Sequence, residues 1–228
     1  LPNYEKTVDG CREIAESRVL DVISLGIDQN TQQFYFHPEL KDKDMDGAGG
    51  VPVKNAEEFR KLREAANCGN WPLMRCYSGT SDTIQLAEVL EKEINNAWCA
   101  VPLCWYNELD GRGTRPIEQS MAEAQSLMRW HAERGIPVEM NEPHHWGLRD
   151  AHDTISVAMA YIAALNAKEC AVKDYVAQYM FNIPNAMSFS MDLAKVLAQI
   201  ELTESLADDD FHIYRETRTG LPFLSGDA

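Results

Sequence analysis

The sequence predicts an α/β fold built on parallel strands, and three observations support this prediction. Of the 228 residues, 45% are hydrophobic and 25% are charged, which is the composition of an ordinary globular protein. Short apolar, β-rich segments alternate strictly with amphipathic helical segments, six of each. The later strands follow one another at intervals of about 27–38 residues, the spacing of βα units. This alternation predicts parallel strands joined by right-handed crossovers, in either a doubly wound open sheet or a (β/α)8 barrel.

Each predicted element has its own signal in the chain. The strands are short apolar segments, predicted at residues 19–27, 72–77, 98–105, 136–141, 172–181 and 211–215. The helices show apolar residues at helical spacing, predicted at 2–17, 55–66, 82–95, 116–133, 150–167 and 186–206. Asn55 followed by Glu58 is typical of a capping box, Asp82 is expected to cap the third helix, and Gly135 to end the fourth. Because the series begins with a helix and stops after a strand, we expect a piece of a longer βα series.

Charge and motif content restrict the class of function. The chain carries 36 acidic against 21 basic side chains, a net charge of −15, so phosphates of nucleic acids or anionic membranes would be repelled. No apolar run approaches the roughly 20 residues that span a bilayer. No G-x-G-x-x-G or Walker motif occurs, so a nucleotide-binding version of the fold has no support. The six cysteines form no C-x-x-C pair, which favours reduced, mostly buried thiols in a cytoplasmic protein.

Candidate site residues come from the ends of the predicted strands, where both architectures collect functional groups. The stretches that follow the strands are unusually rich in Tyr, His, Arg, Asn and Gln, and comprise 28–33, 75–80, 106–115, 141–147, 178–185 and 215–220. The most concentrated is Asn141-Glu-Pro-His-His-Trp-Gly147. If that segment is extended, neighbouring side chains point in opposite directions, so at most one of His144 and His145 would face a site. That histidine would contact substrate or cofactor, ligate a metal or be structural, and the sequence leaves these alternatives open.

Two arginine-bearing segments are candidates for binding an anion. Arg75 lies at the end of an apolar strand, and a buried arginine requires an anionic partner. That partner is either a substrate carboxylate or an Asp or Glu of the chain itself. The loop Gly111-Arg-Gly-Thr-Arg115 either binds phosphate or carboxylate or is an ordinary surface loop.

Seven short patches of the chain follow one another in a distinctive order. They are Pro72-Leu-Met-Arg75, Ser78-Gly-Thr-Ser-Asp82, Leu86-Ala-Glu88, Tyr106-Asn107, Ile117-Glu118, Gly135-Ile-Pro-Val138 and Asn141-Glu-Pro-His-His-Trp-Gly147. In order and spacing this series resembles the large subunit of glutamate mutase, or methylaspartate mutase, an adenosylcobalamin-dependent family. The resemblance runs over nearly the whole chain, in patches that are individually weak.

The resemblance implies a (β/α)8 TIM-type barrel, of which this chain would be the middle portion. About six βα units are visible, corresponding to strands two to seven, so the barrel would be incomplete. In that family a separate small subunit carries the cobalamin and caps the C-terminal face of the barrel. Homolysis of its cobalt–carbon bond generates the radical that rearranges the substrate.

Residue by residue, the resemblance carries over only in part. Arg75 matches an arginine that grips a substrate carboxylate, and Tyr106 matches a substrate-contacting tyrosine. Gln32 stands where the family has a second arginine. Near the places of a third arginine, a proton-accepting glutamate and a second tyrosine stand Asn3, Ala100 and Asp110. Because each charge-assisted contact contributes about 1.5–3 kcal/mol, these departures argue against glutamate itself as the substrate.

The leading hypothesis is a mutase-like barrel subunit that acts on a small carboxylate-bearing substrate with adenosylcobalamin held by a partner subunit. Arg75 would bind the carboxylate, and Glu142 would orient or deprotonate the substrate. The remaining candidates are Tyr106, Gln32, His144 and Gln178 as pocket residues and Arg215 and Arg218 near the cofactor face, with no metal site.

Two alternatives come from other classes of protein. One is a non-catalytic barrel that binds a small ligand or serves in assembly, which the departures at Gln32, Asn3 and Ala100 favour. The other is a metal-assisted barrel hydrolase that uses His144 or His145. The leading hypothesis further expects a homo- or hetero-oligomer, with no nucleic-acid or membrane partner.

Overall fold

The computed structural model describes residues 1–77, 79–184 and 187–219. Its contacts divide the chain into two compact units, Leu1–Ala100 (the N-terminal unit) and Val101–Ala228 (the C-terminal unit). The described residues form six strands, and the neighbouring strands within each unit pair in parallel. The predicted α/β class with parallel strands is therefore confirmed. Ser78, Asn185, Ala186 and Gly220, which belong to predicted patches and elements, lie outside the described residues.

The N-terminal unit alternates helices and strands around one apolar core. Its elements are α1 (Tyr4–Ser17), β1 (Val22–Leu25), α2 (Gln29–Phe34), α3 (Ala56–Ala66), β2 (Leu73–Tyr77), α4 (Thr83–Ile94) and the start of β3 (Cys99–Val101), with 3-10 turns at Pro38–Leu40 and Lys43–Met45. Strand β2 pairs with β1, with Ile23 opposite Met74, and with β3. The strand side chains pack on the buried faces of the helices, including Phe59 of α3 and Leu90 of α4.

Two helix caps were predicted in this unit, Asn55 for α3 and Asp82 for α4, and their side chains behave differently in the structure. The Asn55 side chain accepts from the amide of Glu58 at 3.0 Å, so Asn55 caps α3 as predicted. Glu58 reaches back one residue further than expected and accepts from the amide of Lys54 at 2.6 Å. Asp82 occupies the N-cap position of α4 as predicted, but its backbone is left-handed (φ 48°) and its side chain makes no capping hydrogen bond. The Asp82 carboxylate instead lies 3.2 Å from Nε2 of His37.

The C-terminal unit repeats the βα pattern. Its elements are α5 (Ile117–Ala132), β4 (Val138–Met140), α6 (Glu142–Gly147), α7 (Asp153–Glu169), β5 (Asp174–Phe181), α8 (Phe189–Glu204) and β6 (His212–Thr219). Strand β5 pairs with β4 and β6, with Gln178 opposite Glu216. Tyr175, Tyr179 and Phe211 are among the largest fully buried side chains.

Several predicted boundaries are wrong for identifiable reasons. The first strand comprises only Val22–Leu25, and Val19 is 75% exposed although it is apolar. Residues 98–105 form a strand only over Cys99–Val101, because the amides of Leu103 and Cys104 turn to the Glu142 carboxylate. Helices α2 and α6, six residues each, were not predicted, since neither is long enough to show a helical period.

Two further observations concern the thiols and the helices. None of the six cysteines, all of which lie in described residues, forms a disulfide, and five of them are buried. In the part of the chain that the structure describes, no helix combines the length and apolar character needed to cross a membrane.

Candidate functional site

The predicted site residues are divided between the two units. Gln32 and Arg75 belong to the N-terminal unit, where Arg75 is 5% exposed and its guanidinium carbon lies 5.9 Å from the Trp98 ring. The prediction that Arg75 is buried is therefore confirmed. The Gln32 amide group donates to the backbone carbonyl of Ile27 at 2.7 Å, so it closes the local turn.

The C-terminal unit brings most of the other predicted residues together. We use the name "β4 cluster" for Tyr106, Glu139, Glu142, His144, His145, Gln178 and Arg218. Ring contacts join Tyr106, His145 and His144, and polar contacts join Glu139, Gln178 and Arg218. Glu142 belongs to the same short helix as the two histidines, and the charge of Arg218 acts on His144. Arg215 does not join them. It forks onto the Glu204 carboxylate of α8 at 2.5 and 2.8 Å. Because Arg215 and Arg218 are three residues apart on β6, they face opposite sides of the strand.

Glu142 is one of two buried acids in this cluster, the other being Glu139. Glu142 is the first residue of α6, with Pro143 beside it in the first turn, a favoured place for proline. Its Oε1 accepts from the amides of Leu103 at 2.6 Å and Cys104 at 3.0 Å. Burial raises the pKa of Glu142 to about 7, although these amides and the side chains of Trp105 and Cys104 favour the charged form. A carboxyl group with this pKa exchanges a proton readily near neutral pH, as a general acid or base requires.

The two histidines follow Glu142 on the same short helix. The expectation that only one would face a site assumed an extended segment, whereas α6 places consecutive side chains about 100° apart. Their ring centroids are 5.8 Å apart. Burial lowers the pKa of His144 to about 4 and that of His145 well below its ordinary value, with nearby arginines contributing to both. Both rings are therefore neutral, and the buried Nδ1 atom of each lacks a hydrogen-bond partner among the described residues.

Aromatic rings surround the histidines. The His145 ring is nearly perpendicular to the rings of Trp105 and Tyr106, with centroids 5.6 and 6.2 Å apart. The Trp146 ring packs on Trp105 with centroids 4.9 Å apart. The indole nitrogen of Trp146 is also buried without a partner in the described part of the chain. The aromatic surroundings of α6 therefore contain polar nitrogen atoms that are buried and have no partner among the described residues, and such atoms are uncommon in folded proteins.

A polar network joins β4, β5 and β6 beside this helix. The Gln178 amide donates to Glu139 at 2.9 Å and to Asn141 at 3.2 Å, and Arg218 Nη1 lies 3.8 Å from Glu139. The Oε1 atom of Gln178 is buried and accepts no hydrogen bond from the described residues. Sequence reasoning missed Glu139, although a carboxylate inside an apolar strand was the available signal.

A search for metal-ligand groups among the described residues and comparisons with family models and curated proteins gave no match. Within residues 1–77, 79–184 and 187–219, no three His, Cys, Asp or Glu side chains are grouped to hold a metal ion. No protein-family model matches the chain. No curated protein matches it either.

Proposed function

We propose that this chain is the substrate-binding part of a mutase-like enzyme that rearranges a small carboxylate-bearing substrate with adenosylcobalamin. The observation that carries the proposal is the β4 cluster, where Glu142, with a pKa of about 7, begins the helix that bears two neutral histidines, the half-buried His144 and the buried His145. The ordered patches of sequence and the parallel α/β fold support the same proposal. An incomplete (β/α)8 barrel is part of it.

Glu142 would hold and move a proton. Its Oε1 already accepts two backbone amides, so the transferable proton would reside on Oε2. A substrate amino or hydroxyl group placed there would exchange a proton with a group whose pKa matches neutral pH. The neutral histidines would donate or accept hydrogen bonds without adding charge beside it.

As the resemblance implies, Arg75 of the N-terminal unit would bind a substrate carboxylate. In the C-terminal unit, Tyr106 and Gln178 would be the pocket residues of the β4 cluster. The family has a second arginine where this chain has Gln32, and the Gln32 side chain is engaged with the Ile27 carbonyl. Gln32 therefore supplies no charge for a second substrate carboxylate. We therefore propose a substrate with one carboxylate gripped by arginine, rather than glutamate.

The residues present fit the implied cofactor. Cobalamin and its adenosyl group offer amides and hydroxyls, which are uncharged hydrogen-bonding partners. Several of the buried, unsatisfied atoms of the described β4 region are likewise uncharged, among them Nδ1 of His144, Nε1 of Trp146 and Oε1 of Gln178. These residues would hold the group, and Arg218 would lie beside it; when bound, the cofactor supplies the radical by homolysis of its cobalt–carbon bond.

The test combines the purified protein with adenosylcobalamin, a candidate cobalamin-binding subunit and a panel of small amino and hydroxy acids. Electron paramagnetic resonance should show a cobalt(II) signal with at least one substrate. The signal should be lost in Arg75→Gln and kept in Arg129→Gln, which removes an exposed arginine of α5. Absence of the signal with every acid would count against the proposal.

The same preparation separates the two alternatives. A non-catalytic barrel would bind one of the acids in calorimetry without any radical signal. A metal-assisted hydrolase would be purified with stoichiometric zinc, manganese or iron. Either result would replace the mutase proposal.

A further inference from the structure

The loop after β3 is organised around one buried carboxylate. Asp110, whose side chain is 0% exposed, accepts from the amides of Tyr106 and Asn107 at 3.2 Å each. Arg112 contacts the same carboxylate through Nε at 2.6 Å and Nη2 at 2.5 Å. Burial opposes the charged form, but these hydrogen bonds and the Arg112 charge hold the pKa of Asp110 below its ordinary value. Asp110 is thus an ionised anchor.

A second arginine reaches this anchor from the turn after α6. Nη2 of Arg149 lies 3.5 Å from Oδ2 of Asp110, and Nη1 donates to the His145 carbonyl at 3.0 Å. Because the two Nη2 atoms are 2.5 and 3.5 Å from the same oxygen, they are at most 6.0 Å apart. An oxyanion with several acceptor atoms can bridge donors at such a separation.

Aromatic rings fix the planes of both guanidinium groups. The Arg112 guanidinium carbon lies 3.9 Å from the centroid of the Tyr106 ring, and that of Arg149 lies 4.0 Å from the Trp105 ring. Stacking of this kind orients the planar fork before a ligand arrives, so less conformational freedom is lost on binding. The two side chains remain 33% and 37% exposed, so a ligand can reach them.

The cluster has an excess of positive charge. Two guanidinium groups share one carboxylate, and among the described residues no other carboxylate lies within 4.0 Å of either. Arg115, the other arginine of the loop, is paired with Glu123 and does not contribute to the excess. One positive charge is therefore left over locally, in a chain whose net charge is −15.

An independent observation points to a ligand here. His145, only 7% exposed, has an Nδ1 atom without a hydrogen-bond partner in the described chain. Its carbonyl is bound by Arg149, and its ring meets the two rings on which Arg112 and Arg149 stack. The charges of Arg112 and Arg149 act on this ring. In the tautomer with the proton on Nδ1, the unpartnered N–H would be a third donor for an anion.

We propose that Arg112, Arg149 and His145 form a binding site for an oxyanion, either a carboxylate or a phosphate group of a small ligand. This site goes beyond the proposed function, because it requires neither the radical nor Arg75.

Calorimetry on the whole protein tests the site with inorganic phosphate and with succinate, each against chloride at the same ionic strength. Arg149→Gln is the main variant, since it leaves the Asp110–Arg112 pair intact. We expect saturable binding that weakens about tenfold or more in this variant, because one charge-assisted contact is lost. Arg129→Gln, on the exposed face of α5, controls for net charge and should bind within about twofold of the wild type. The preferred anion identifies the ligand class.

Two results would overturn the inference: no saturable binding of either anion, or equal losses in Arg149→Gln and Arg129→Gln. Circular dichroism checks that the variants fold. The ¹⁵N resonances of the His145 ring in the wild type give a second measurement, and they should shift on anion binding. A ring that does not respond would also overturn it. Anion binding without a cobalt(II) signal would reject the proposed function alone.

Discussion

At the scale of single residues, Glu142 combines two opposing influences. Full burial favours the protonated form, whereas the amides of Leu103 and Cys104 favour the carboxylate, and burial prevails. Such a group lowers stability at neutral pH, because ionisation is easier in the unfolded chain. Retaining it at the start of α6 is consistent with a role in proton transfer.

The linkage gives a prediction for Glu142→Gln. Between pH 4.5, the ordinary pKa, and about 7, the folded chain keeps a proton that the unfolded chain releases. Wild-type stability should therefore fall across this range, by about 3 kcal/mol from this group. Glutamine keeps the carbonyl for both amides but does not titrate. In urea unfolding, the free energy of unfolding of the variant minus that of the wild type should increase with pH. If the two free energies change in parallel with pH, titration of Glu142 is not the cause.

At the scale of elements, a buried ion pair holds the start of α8 against the end of β5. Nζ of Lys195 donates to Asp192 at 2.6 Å and to the Ile183 carbonyl at 2.5 Å, and the Asp192 carboxylate accepts from the amide of Asn182. The two side chains are 3% and 7% exposed. Each charge is therefore paired with the other in a buried position and has one further backbone partner.

Lys195→Met should therefore destabilise the protein strongly. It leaves the Asp192 carboxylate buried without its cation, which typically costs about 3–5 kcal/mol. The double variant Asp192→Asn with Lys195→Met removes both charges and should recover much of that loss. Thermal and urea unfolding of the set measure the coupling. A double variant as unstable as Lys195→Met would show that the charge imbalance is not the cause.

The same scale explains what the sequence could and could not predict. Long amphipathic segments such as α1 and α3 were predicted because their apolar residues repeat over several turns. The strand-end rule selected Glu142 and His144, which both lie on α6 directly after β4. It missed Arg149, which follows an unpredicted helix of six residues rather than a strand. It could not predict that Arg215 and Arg218 lie on opposite faces of β6, because the face that a strand residue occupies depends on the strand register.

At the scale of the whole molecule, charge and burial are distributed unevenly. The chain is strongly acidic, yet the loop after β3 concentrates uncompensated arginine around Asp110. At physiological salt a small ligand experiences mainly the charges close to it, so the arginines attract a small anion. An extended polyanion is also repelled by the net negative charge of the chain, so small anions are favoured.

Thiol reactivity tests the burial pattern across both units. Of the six cysteines, only Cys68 is partly exposed, and burial raises the pKa of Cys76 and Cys104 to about 12. Because the thiolate is the reactive form, the native protein should react rapidly with Ellman's reagent at one thiol, and at all six in guanidinium chloride. Cys68→Ser should abolish the rapid phase and leave the five buried thiols slow. Rapid reaction of a second thiol in the native wild type would contradict the burial of that cysteine and locate the part of the chain that opens.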